Sequence, residues 1–255
     1  MNIRFLGTGY GASRSKKRST KDFRRPASLL IDNGILIDPN NEAFSFAEDY
    51  SLSGLFREVH TVLITTADEE RFSAETILSF LQSGRKINIC AEAYVRPSIP
   101  EHPLITFVEM RANEIFDVQG AKVIPIPTVY RTAKGNSAIG YAICTNRSLL
   151  YLPDGGFLHQ DAWDLLSKLH FDHAILGCPS ADDPTGAVTV RAANFEMAKI
   201  LRSIFIDAKT LSAGARCFLT SIPFDKKRSI HESLRALCDA EEGFTLAYDG
   251  LYMNV

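Results

Sequence analysis

No stretch of the 255 residues approaches the length of an apolar membrane span, and no Cys-x-x-Cys pair occurs. The first absence predicts no membrane-embedded part, and the second speaks against a structural zinc knuckle. The five cysteines, Cys90, Cys144, Cys178, Cys217 and Cys238, are scattered and odd in number. Several sit inside apolar strand-like runs, so they read as buried, reduced thiols of a cytoplasmic protein. An excess of charge of one sign is missing too. With 28 basic and 30 acidic side chains the net charge is −2, which favours neither nucleic acid nor a membrane surface. No signal peptide is expected, because Met1-Asn2-Ile3-Arg4 runs directly into an apolar strand. No low-complexity linker and no close repeat interrupts the chain. The six histidines show neither His-x-His nor His-x-x-x-His spacing, and each reads as a surface or capping residue.

What is present is ordinary for a soluble α/β domain: 45% hydrophobic and 23% charged residues, over a length that fits one domain spanning 1–255. Ile3 to Leu6 predicts a strand, followed by Gly7-Thr8-Gly9-Tyr10-Gly11. No amphipathic helix follows those glycines, so a turn needing positive φ explains them better than a phosphate cradle. A basic run comes next: Arg14, Lys16, Lys17, Arg18, Lys21, Arg24 and Arg25. It reads either as a solvated loop or as a contact for a phosphorylated ligand or RNA backbone. Ala27 to Asp38 predicts a hairpin turning at Asn33-Gly34, the preferred type I′ pair.

Tyr50 to Arg57 predicts a short helix, and Ser73 to Gln82 a longer one with Ile77, Leu78 and Leu81 inward and Gly84 as its stop. Ile87 to Ala91 is a strand. Ala121 to Pro127 is a strand whose prolines place it at an edge or near its end. Ala138 to Thr145 and Ser148 to Leu152 form a second hairpin, closed by Pro153-Asp154-Gly155-Gly156. Helices are expected over Asp161 to His170, Val188 to Ile204 and Ile230 to Cys238. They alternate with strands at His173 to Gly177, Arg216 to Leu219, Phe244 to Ala247 and Leu251 to Asn254.

The stretch that organises the chain is Val59 to Ser73, VHTVLITTADEERFS. A short β-branched run reads as a buried strand, and a dense polar cluster follows it. Sites in α/β sheets commonly lie just past the carboxyl ends of strands, which makes Asp68, Glu70 and Arg71 candidates. The plainer reading is a helix start, with Ser73 as its cap.

The segments IRFLGTG, RRPASLLIDNGILIDP, VLIT before a polar cluster, LLYLPDGG, CFLTS and YDGLYMNV, in this order and spacing, resemble the metallo-β-lactamase superfamily. The nearest branch is that of the tRNA 3′-processing endonucleases and the cyclic phosphodiesterase associated with carbon–phosphorus lyase (PhnP-like). The resemblance covers nearly the whole chain. It implies a four-layer αββα sandwich of two mixed sheets with helices outside.

In that family the strand matching Val62 to Thr65 ends in His-x-His-x-Asp-His, which holds two zinc ions. Here those positions read Thr66, Ala67, Asp68, Glu69, Glu70 and Arg71. Further family histidines match Tyr130 and Ser221, and the bridging aspartate matches Asp154, the one ligand retained. The resemblance therefore implies a metallohydrolase scaffold with a degenerate site. No cofactor is expected, and if one binds it is a divalent cation, zinc, manganese or magnesium, near Asp154. The Arg71 guanidinium is expected to fill the vacated space and pair with Asp154, with Asp68 or Glu70 as further partners.

Three functions follow from this reading. One is a non-catalytic homologue that binds a small phosphorylated ligand or a protein partner, a homodimer included. Another is a hydrolase of the phosphodiesterase class using Asp68, Glu70 and Asp154 on a hard cation. The third is an RNA or phosphate binder acting through the basic run.

Overall fold

A computed structural model of the chain describes residues 1–10, 24–82, 84–131, 135–154, 156–180, 193–223 and 229–255. Strands β1 (Asn2–Gly7), β2 (Gly9–Tyr10), β3 (Ser28–Ile31) and β4 (Ile35–Ile37) come first. Helix α1 (Glu42–Asp49), β5 (Thr61–Leu63), α2 (Ala74–Leu81), β6 (Ile87–Ala91) and β7 (Ile105–Glu109) complete the first half. The second half runs β8 (Phe116–Val118), β9 (Ala121–Arg131), β10 (Ser137–Cys144), β11 (Ser148–Leu152), α3 (Gln160–Leu166), β12 (His173–Gly177) and α4 (Phe195–Asp207). It closes with β13 (Cys217–Thr220), β14 (Ile222–Pro223), α5 (Ser229–Ala240), β15 (Phe244–Leu246) and β16 (Tyr252–Asn254).

These elements build two seven-stranded mixed sheets, in the orders β16-β1-β3-β4-β5-β6-β7 and β15-β13-β12-β11-β10-β9-β8, and a small parallel pair of β2 with β14. Three apolar cores divide them into four layers. One, with Phe5, Leu29, Tyr141 and Phe218, lies between the inner faces of the sheets. A second packs α1 and α2 on the first sheet through Phe46, Ile77 and Leu81. The third packs α3, α4 and α5 on the second sheet through Leu166, Leu201 and Leu234. Both sheets are thus buried on two faces, which is why their strands are apolar runs rather than alternating ones.

Strands β4, β5, β6 and β7 run parallel, as do β11, β12, β13 and β15. Strand β9 also runs with β11, since both are antiparallel to β10. The carboxyl ends of these strands are therefore where loops can converge. Hydrogen bonds cross from sheet to sheet there: Tyr141 Oη donates to Ile64 O at 2.7 Å and reaches Cys90 O at 3.5 Å, and Ile139 N donates to Thr65 O at 3.2 Å.

Several local expectations are corrected. The first hairpin turns one residue early. Asp32 and Asn33 carry positive φ (46° and 57°), and Gly34 N closes the turn on Ile31 O at 3.0 Å. Gly34 is needed for space instead, because a Cβ there would collide with the His60 ring. Gly7 and Gly9 likewise lack positive φ; a Cβ on either would run into the Arg25 backbone. Gly11 lies outside the described residues. The helix expected over Tyr50 to Arg57 is a series of turns, broken by left-handed Ser51 and Gly54, and α1 lies before it. On α2, Leu78 faces outward and Phe80 takes its place in the core. Residues 188–192 of the long helix expected over Val188 to Ile204 are outside the described set, and α4 begins at Phe195.

Prolines do not put β9 at the edge. It lies between β8 and β10, but β8 pairs only with Ala121 to Val123, so Pro125 and Pro127 follow its end.

Candidate functional site

The carboxyl ends of β4, β5 and β6 carry Asp38, the loop 64–73, and Glu92 with Tyr94. Those of β9, β11 and β13 carry Tyr130, Asp154 and Ser221. Local hydrogen bonds fold the loop after β5. Thr66 Oγ1 accepts from Asp68 N at 2.9 Å, and Asp68 O accepts from Arg71 N and Phe72 N at 2.8 and 3.0 Å. Phe72 is buried in the outer core, and Ser73 N donates to Pro39 O at 3.1 Å before its side chain caps α2. Anchored on both sides, Arg71 points inward and is only 4% exposed.

There its guanidinium bridges the two sheets. Nη2 donates to Asp154 Oδ1 at 2.6 Å and to Ser221 Oγ at 3.1 Å, while Nη1 lies 3.8 Å from Asp38 Oδ2. Of the three carboxylates named as partners from sequence, Asp154 pairs with Arg71. Asp68 and Glu70 do not, and Asp38 takes their place. Asp38 is wholly buried and accepts from Thr65 N at 2.8 Å and Thr65 Oγ1 at 2.9 Å. Burial pushes its carboxyl up to about 7, against the lowering pull of Arg71 and the Thr65 bonds. Burial alone would lower the Arg71 guanidinium, but Asp154 and Asp38 outweigh it and hold the group charged.

Two features mark strain at this spot. Asp38 and Ser221 both hold left-handed φ of 54° without being glycine. Arg71 Nη1 and Asp154 Oδ2 are buried without a hydrogen-bond partner. Such groups ordinarily cost about 1–3 kcal/mol each.

Around the ion pair stand phenols and acids. Tyr130 Oη meets Tyr10 Oη at 3.3 Å. Burial, then the Tyr10 contact, raises the Tyr130 hydroxyl, with Asp154 and Asp68 adding to it. Tyr94 is raised by burial and then by Glu92 and Asp68, and Glu92 by its own burial. Sequence reasoning passed over Asp38, Thr65, Tyr10, Glu92 and Tyr94. The one available signal was Asp38-Pro39 at the end of a strand beside the central one.

The basic run divides. Arg14, Lys16, Lys17, Arg18 and Lys21 lie outside the described residues. Arg24 and Arg25 are buried, which corrects the picture of a solvated loop at its end. Arg24 Nη1 donates to Thr8 Oγ1 at 2.6 Å and Ala247 O at 2.7 Å. Arg25 donates to Asp249 Oδ2 from its backbone at 2.7 Å and from Nη1 at 3.3 Å, and its Nη2 pairs with Asp49. Both cations are committed to partners in the protein interior.

Solved structures share this architecture over the full chain. A crystal structure of a metallo-beta-lactamase fold protein, YhfI from Bacillus subtilis, superposes with a TM-score of 0.72 at 13% identity, covering 99% of this chain and 98% of that one. This chain has the metallo-β-lactamase fold. A diphosphatase of the PhnP family matches this fold at TM-score 0.69 and 19% identity, over 99% of this chain and 96% of its own. Yeast PDE1 matches at TM-score 0.68 and 11% identity, over 100% of this chain and 99% of its own. No protein-family model and no curated protein sequence matches the chain.

Proposed function

We propose that this chain is a metallo-β-lactamase-fold protein that works without the zinc pair of its resemblance, binding a small phosphorylated ligand or a partner instead of hydrolysing a phosphodiester. The reading rests chiefly on the 2.6 Å contact between Arg71 and Asp154. A permanent cation sits on the carboxylate that would bridge two metal ions, and a second positive charge beside it is repelled.

The donor set fits zinc poorly as well. Thr66, Asp68, Arg71, Tyr130 and Ser221 stand at histidine positions of the resembled motifs, so no imidazole, the ligand zinc prefers there, is present at any of them. Among the described residues, no three His, Cys, Asp or Glu side chains gather into a metal-holding group. The ligand class takes its support from the neighbours, a diphosphatase and a protein named PDE1.

Elemental analysis of the protein purified without chelator tests this directly, together with turnover of bis(p-nitrophenyl) phosphate in added Zn²⁺, Mn²⁺ or Mg²⁺. The expected result is metal far below one ion per chain and no turnover above blank. Stoichiometric metal together with turnover above blank would overturn the proposal.

A further inference from the structure

A second concavity lies at the other end of the first sheet, where the chain enters β5 and β6. It has a volume of about 620 Å³, within the range of small-molecule sites, and is walled by α1, the turns at 50–58 and α2. Its floor is aromatic. Phe44 and Phe56 meet edge-on at 5.1 Å between ring centroids, Phe44 and Phe80 lie at 4.9 Å, and Phe56 and Phe80 at 5.6 Å, again edge-on. Leu52 and Leu55 extend the apolar wall and stay partly open to solvent.

Charge is placed on one side of it. The exposed Arg57 guanidinium folds over Gly54, 3.6 Å from where a Cβ would stand, and makes no ion pair among the described residues. Gly54 has φ +83°, so the turn that admits the guanidinium depends on glycine. Arg85 stands at the rim, 3.9 Å from Glu58, and Glu48 is the acid on the wall. An apolar cavity with an uncommitted guanidinium at its mouth is complementary to a molecule with a hydrocarbon body and one anionic end. A planar guanidinium suits a carboxylate in particular, by two parallel hydrogen bonds.

We propose that this cavity binds an amphiphilic carboxylic acid, its chain against Phe44, Phe56 and Phe80 and its carboxylate on Arg57. The site is separate from the Arg71 cleft and does not depend on how that cleft functions.

The test is calorimetric titration of the full chain with dodecanoate, dodecanol and dodecyltrimethylammonium, each below its micellar concentration. Dodecanoate is expected to saturate a single site and to bind about tenfold or more tighter than the other two. Arg57→Glu is expected to remove that preference with an unchanged melting temperature, because Arg57 is exposed. Arg57→Gln, which removes the charge without reversing it, provides the same reading if the glutamate variant is unstable. Equal affinity for the three chains, no saturable binding of dodecanoate, or full affinity in the folded Arg57 variants would each overturn the proposal.

Discussion

Two buried arginine–aspartate clusters hold this molecule together across long sequence separations, and they are built differently. In the cluster of Arg24, Arg25 and Asp249, both carboxylate oxygens of Asp249 accept hydrogen bonds, one from Thr8 and the other from Arg25. In the cleft, Arg71 meets Asp154 through one nitrogen and one oxygen, and their other atoms, Nη1 and Oδ2, are buried and unbonded. The first cluster has the character of a structural brace between the start and end of the chain. The second carries an unmet hydrogen-bonding demand, and protein cores tolerate such demands mainly where something else uses them.

The sharpest way to break this comparison is to remove one charged partner from each cluster. Asp249→Ala takes the carboxylate away from the Arg25 guanidinium and backbone N–H and from the Thr8 hydroxyl, all buried, and is expected to cost about 4 kcal/mol in denaturant unfolding. Arg71→Ala leaves Asp38 and Asp154 facing each other without a cation, at an expected cost of about 3 kcal/mol. The paired replacement Arg71→Met with Asp154→Leu should recover most of that loss. Two unmet polar atoms vanish along with the ion pair, and buried pairs often yield to apolar residues at little cost. No such recovery is expected at Asp249, whose partners include the Arg25 backbone N–H, which cannot be mutated away. If the cleft double variant were as unstable as Arg71→Ala, the contrast between the clusters would be lost.

Smaller and more specific is the pH dependence. Folded Asp38 keeps its proton up to about pH 7, whereas an ordinary aspartate releases it near 3.8. Between those values the folded chain binds a proton that the unfolded chain has lost. The stabilisation is therefore complete below about pH 4 and disappears as pH rises through 7. Measured as parent minus Asp38→Asn, stability is expected to fall across that window by about 1.4 kcal/mol per pH unit at most. Parallel pH profiles for the two proteins would show that Asp38 does not titrate there.

Much of the fold was legible, because buried strands leave short β-branched runs and the strands alternate with helices over the second half of each half-chain. The meeting of Arg71 and Asp154 was legible only through the resemblance, which brings the ends of two distant strands to one place. Asp38 was not. Its role depends on Thr65, 27 residues away, and on a left-handed backbone that sequence does not announce. Arg24 and Arg25 were misread for a similar reason. Next to other cations they look solvated, while the acid that buries one of them lies 224 positions along the chain. The turns at 50–58 were misread as a helix because apolar spacing outweighed a single glycine.

The early end of β8 has a consequence for the outer-side chemistry of β9, which runs on past it. Pro125 O receives Asn113 N on the side away from β10, so the ring nitrogens of Pro125 and, two residues on, Pro127 face that same side. That side is closed from within the chain, because Asn113 already occupies Pro125 O and Thr128 bridges to Leu158. Neither proline ring nitrogen offers that side a donor, so a regular ladder cannot extend along residues 125–127 there.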